Sequence, residues 1–214
     1  MTLELQVEVT PATPVAGYTR IYLDNISKRI KNIDDTGLNS TVLSTLGVTT
    51  TSVSSAVTAE TKSLLGTIIG TFTIPASHSV VGKMFRIKAR GVITTGATAG
   101  TITFFLKWAG ITIASTGAVA PTISQSNMYW EMEADIIVRT IGATGTTLVQ
   151  GLMHIQNAAT PSAGIRWPIR GNNADPPAVV TIDTTASSLI DFQSTTSNNL
   201  HTITCNMLIL ELAN

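Results

Sequence analysis

The chain has 214 residues, and 13 Lys and Arg balance 13 Asp and Glu, so it carries no net charge at pH 7. A neutral balance supplies no long-range field to gather nucleic acid or an anionic membrane surface, and neither is expected as a partner. Charged residues are only 12% of the chain, against about 25% in an ordinary soluble domain; a surface so weakly charged has little colloidal repulsion and suits a protein packed into an assembly.

The first ten residues alternate and carry acidic groups, which is not the pattern of a secretory signal, and no apolar run reaches membrane-spanning length. Residues 3–9 read as a strand ended by Pro11 and Pro14. Residues 18–23 are expected to pair with 26–33 across an Asp24-Asn25 turn. Residues 1–37 thus form a strand-plus-hairpin arm that cannot stand alone and whose natural support is another subunit or a larger surface. Residues 38–65 mix Ser, Thr and Val without a settled period. They read either as a flexible linker or as a stalk ordered by its copies, and the scattered Leu43, Leu46, Val48, Val53 and Val57 favour the stalk.

From residue 66 onward nearly every segment repeats every two residues, and no window of helical length shows an apolar stripe. Strands are expected over 67–74 and 84–93 as neighbours, then over 101–108, 111–115, 129–140, 146–156, 178–184, 189–194 and 202–212. Two similar glycine-bounded segments, 96–100 and 142–145, read as hairpin tips. The expected fold is all-β: an antiparallel two-sheet sandwich over 66–214, a jelly roll first and an immunoglobulin-like sandwich second, preceded by the N-terminal arm.

Chemistry is sparse. Cys205, the single cysteine, offers neither a disulfide nor a thiolate cluster, and its place in an alternating run marks it as core. His78, His154 and His201 lie in separate segments without metal-ligand spacing, and no Gly-x-Ser-x-Gly elbow or phosphate-binding glycine loop is present. No catalytic residue, cofactor or metal is expected, and the chain is not expected to be an enzyme. Two Asn-x-Ser/Thr sites, at Asn25 and Asn39, are not expected to carry glycans without a signal sequence.

Two charge ladders carry more information. Arg86, Lys88 and Arg90 alternate with apolar residues, as do Glu131, Glu133 and Asp135, so each set points away from the core. The ladders either meet, on one sheet or across a subunit boundary, and set register or partner choice, or they are two solvated faces. A calcium site at the acidic triplet is weaker, because alternate carboxylates on a strand stand about 7 Å apart. Residues 157–177 read as a long irregular loop presenting Arg166, Trp167 and Arg170, either as a recognition element or with Trp167 folded back to plug the sandwich.

The run Gly17-Tyr18-Thr19-Arg20-Ile21-Tyr22-Leu23, followed by Lys31-Asn32-Ile33-Asp34-Asp35-Thr36-Gly37, resembles the N-terminal segment of many virion proteins of tailed bacteriophages. The runs 70–76 and 81–87 resemble the first strands of phage head-decoration, head-fibre and tail-fibre jelly rolls. That resemblance implies an arm attached to a capsid or tail component, with Tyr18, Arg20 and Tyr22 among its contacts, a sandwich projecting outward, and association as a homotrimer. The implied location is the virion, assembled in the host cytoplasm. The implied function is a structural decoration, cement or fibre element; the alternative is a tip module that binds a host-surface glycan or receptor.

Overall fold

A computed structural model describes residues 7–8, 20–24, 30–33, 39–41, 45–54, 61–63, 73–74, 76, 78–157 and 160–212. Every regular element among them is a strand. The chain divides into two compact units, Met1–Thr45 and Leu46–Asn214.

The first unit holds a four-stranded sheet in the order β1-β2-β3-β4, with β1 Val7–Glu8, β2 Arg20–Asp24, β3 Ile30–Ile33 and β4 Asn39–Thr41. β2 and β3 pair antiparallel from Arg20 opposite Ile33 to Leu23 opposite Ile30, as the hairpin expectation requires, while β1 runs parallel to β2. The expected Asp24-Asn25 turn runs into residues 25–29, which lie outside the described residues.

β5 Thr45–Ser54 starts at the boundary and runs, followed by β6 Thr61–Ser63 and β7 Thr73–Ile74, into the second unit. Its long strands are β8 Met84–Thr94, β9 Ile102–Trp108, β10 Ile111–Ser115, β11 Met128–Thr140, β12 Gly145–Asn157 and β13 Thr160–Gly171. β14 Val180–Ile182, β15 Ser188–Thr196 and β16 Thr202–Leu212 complete it. The strands form one sheet in the order β5-β16-β8-β11-β12-β13-β10-β9-β15-β6, with β14 paired to β12 and β7 to β15. Between β13 and β10 the sheet is joined by only two described residue pairs, Ala114 with Gly171 and Ser115 with Arg170.

The sheet curls at that narrow joint so that its two halves face each other. Phe85 of β8 meets Trp108 of β9 edge-on with centroids 5.4 Å apart, although the two strands are far apart in the sheet order. Phe104 of β9 lies 5.4 Å from Trp130 of β11 and stacks at 5.6 Å on Phe192 of β15. Alternation drives this closure: in β8, β9, β11 and β15 every second side chain is buried, and the sheet removes those apolar rows from water only by folding over them.

Both buried indoles find hydrogen-bond acceptors, Trp108 Nε1 at Ser188 Oγ (2.6 Å) and Trp130 Nε1 at the Thr204 carbonyl (3.2 Å). Gly91 sits opposite Trp130 in the β8–β11 ladder, and a Cβ there would overlap the Thr204 carbonyl oxygen and come within 2.9 Å of the Trp130 ring. The glycine is the space that the indole fills.

Three sequence expectations change. Residues 67–74 do not neighbour 84–93: β7, their described end, pairs with β15, and β8 is already flanked by β16 and β11. Residues 96–100 are not a hairpin tip, because they carry the chain from β8 in one half of the sheet to β9 in the other; 142–145 does close the β11–β12 hairpin. The expected irregular loop at 157–177 contains β13. Its Pro168 is compatible with a strand because β13 pairs with β12 on one side, while on the other β10 reaches only Arg170 and Gly171. Within 38–65, the segment read as a linker or stalk, lie β4, β5 and β6.

Candidate functional site

The two charge ladders come together on the outer face of the sheet. β8 and β11 are antiparallel neighbours, and their register sets Arg90 opposite Glu131, Lys88 opposite Glu133 and Arg86 opposite Asp135. β12 and β13 extend the rows, with His154 beside Glu131 and Arg166 beyond it, Leu152 beside Glu133 and Pro168 beyond it, and Gln150 beside Asp135 and Arg170 beyond it. On the far side of β8, β16 places Glu211 next to Arg86.

The ion pairs follow these rows and their diagonals. Arg86 grips Asp135 with two hydrogen bonds, Nε to Oδ1 at 2.7 Å and Nη2 to Oδ2 at 3.1 Å, and its Nε is 3.3 Å from Glu133. The Asp135 hydrogen bond, then its charge, holds the Arg86 guanidinium above its usual pKa. Lys88 turns to Glu211 at 3.4 Å. Glu131 accepts a 2.9 Å hydrogen bond from the Tyr129 hydroxyl, and Arg90 and His154 each stand 3.8 Å from its carboxylate. Burial, then the Glu131 hydrogen bond, raises the Tyr129 pKa.

A cleft of about 400 Å³ opens on the outer face, with Lys88, Arg90, Glu131, Glu133, Asp135, Gln150, Leu152, His154 and Arg166 among its walls. Met132, Ala134 and Gly151, whose positions face inward, contribute their backbone to the floor. The His154 imidazole lies over Gly164 on β13, where any side chain would collide with it.

Of the residues expected to make partner contacts, Arg86, Lys88, Arg90, Glu131, Glu133, Asp135 and Arg166 are thus gathered on one face. Trp167 is not presented between two guanidinium groups. β13 alternates, so Arg166 and Arg170 point outward while Trp167 packs half-buried against the core, and Arg170 pairs with Asp175 at 2.9 Å. Arg20 and Tyr22 lie on β2, opposite Ile33 and Lys31; Tyr18 lies outside the described residues. Among the described residues no cluster of His, Cys, Asp and Glu has the make-up of a metal site.

Sequence reasoning missed His154, Gln150, Leu152 and Glu211. The first three were within reach. Counting back along both strands from the 142–145 turn brings His154 to the acidic ladder but opposite Glu133; the register of the ladder, which shifts between Val138 and Thr140, sets it opposite Glu131. Glu211 carried no such signal, because 123 residues separate it from Lys88.

The fold and the site together define an all-β protein whose curled antiparallel sheet carries a charged cleft on its outer face. No family model matches the sequence, and no curated protein matches it. Among solved structures it is similar to the CBM2 module of Lactobacillus casei BL23 phage J-1 evolved Dit, at 15% identity and a TM-score of 0.30. That likeness covers 65% of this chain and 66% of the other, just under two thirds of the latter's length. At that level of likeness the functional reading rests on the residues of this chain.

Proposed function

We propose that the chain is a structural protein of a tailed-phage virion. Its N-terminal part attaches to a capsid or tail component, and its curled sheet, of jelly-roll kind, projects outward as a decoration or fibre element. The division into a small unit with its own four-stranded sheet and a larger unit with the curled sheet carries this reading. A sheet of such short strands has little apolar surface of its own to bury and is suited to docking on a larger body. The quoted motifs of residues 17–23 and 31–37 fall in that part.

Association of three copies, implied by the same resemblance, belongs to the proposal, as does the absence of any catalysed reaction. Mass spectrometry of gradient-purified particles, combined with antibody labelling of the second unit on intact particles, tests it. The chain should be a stable particle component and the label should bind at the surface. Detection in the lysate but never in purified particles would remove the reading.

A further inference from the structure

The cleft on the β8-β11-β12-β13 face is lined by three cationic side chains, Lys88, Arg90 and Arg166, and three carboxylates, Glu131, Glu133 and Asp135, which are unevenly paired. Arg86 is committed to Asp135 and Glu133, and Lys88 to Glu211. What remains is one row across four adjacent strands: Arg90, Glu131, His154, Arg166. Glu131 is its single carboxylate and already accepts the Tyr129 hydroxyl. Arg90 and His154 stand 3.8 Å from it, beyond hydrogen-bond length, and Arg166 is exposed and makes no ion pair among the described residues. With strands about 4.8 Å apart, the row runs about 14 Å from Arg90 to Arg166.

Beside this row the lining changes character. Glu133, with its side chain 56% exposed, and the Gln150 amide offer acceptors for hydroxyl groups. Leu152, 43% exposed, lies opposite the exposed Pro168 and gives an apolar patch in the same floor. A cleft of about 400 Å³ falls in the size range of small-molecule sites, about 300–1,000 Å³. A stable protein partner would need a flat area of about 800 Å² on each side.

The geometry points to a binding site for an anionic, polyhydroxylated chain, either an acidic polysaccharide or a polyol-phosphate polymer. Its charged group sits on Arg166, the cation of the row with no carboxylate of its own among the described residues, where a guanidinium makes forked hydrogen bonds to carboxylate or phosphate oxygens. Its hydroxyls donate to Glu133 and Gln150, and its C–H face covers Leu152. This goes beyond attachment to the particle and is tested on the free full-length chain, so failure of the virion reading and failure of this one show separately.

The probes are polygalacturonate for a carboxylate, poly(glycerol phosphate) for a phosphate, dextran for uncharged hydroxyls and polyglutamate for charge without hydroxyls. They are titrated calorimetrically at about 0.15 M salt, where surface charge alone is largely screened. Binding of polygalacturonate or poly(glycerol phosphate), with dextran and polyglutamate much weaker, is expected, and the polymer that binds identifies the anionic group. Arg166→Ala should weaken that binding about tenfold to hundredfold while leaving the thermal midpoint unchanged. Leu152→Glu, which changes the floor and not the donors, should weaken it as well. Absence of binding to both anionic polymers, equal binding of polyglutamate or dextran, or parental affinity in both variants would overturn the assignment.

Discussion

His201 is fully buried, and its Nδ1 accepts the Gly96 N–H at 3.2 Å. Burial pushes its pKa below the ordinary 6.5. The unfolded chain therefore takes up a proton at a higher pH than the folded one. The stability tied to the neutral ring is complete above the unfolded value and is lost as the pH falls below it. The thermal midpoint should drop between about pH 7.5 and about pH 5.5, and His201→Gln, lower at the outset, should drop less. Equal slopes would show that another group governs this range.

Cys205 behaves in the opposite sense, because burial pushes its thiol up to about 11. Native protein at mildly alkaline pH should resist alkylation and react once denaturant is added, which intact-mass measurement follows directly. At Gly91 the constraint is steric. Gly91→Ala would force a methyl group against the Thr204 carbonyl and the Trp130 ring, and the loss should be roughly 3 kcal/mol in urea unfolding.

At the scale of elements, the contact between the two halves of the sheet depends on a few rings. Phe192→Ala removes a side chain packed on both Phe104 and Trp130 and should cost about 3–5 kcal/mol, whereas Arg90→Ala on the outer face should change stability by less than about 1 kcal/mol. Comparable losses from the two would contradict the division into a packed inner face and a solvated outer one.

The same contrast explains what the sequence made legible. Period-two alternation, as in Arg86 to Arg90 and Glu131 to Asp135, marked inner and outer positions correctly, because burial acts on each strand locally. Strand order did not follow from it. β8 pairs with β16, more than a hundred residues later, and β7 with β15, pairings that no local turn signals. β13 was hidden by its Pro and Gly residues, and Pro168 is tolerated because β10 reaches β13 only at Arg170 and Gly171. The cleft was half legible: its charges stood out, while His154 and Arg166 joined them only through the β12 and β13 registers.

At the scale of the whole molecule, the chain divides at Thr45 and Leu46 into two compact units, the first holding a four-stranded sheet. In the proposed function the first attaches the chain and the second displays its outer face. Residues 1–37 include β1 to β3, while β4 to β16 and, among the described residues, the buried cluster lie beyond them. The most direct measurement is the incorporation into particles of the chain lacking residues 1–37, scored beside its thermal unfolding and against the full chain. A cooperative transition near that of the full chain together with loss of incorporation is expected. A folded, truncated chain that still enters particles at the parental level would contradict the proposed attachment.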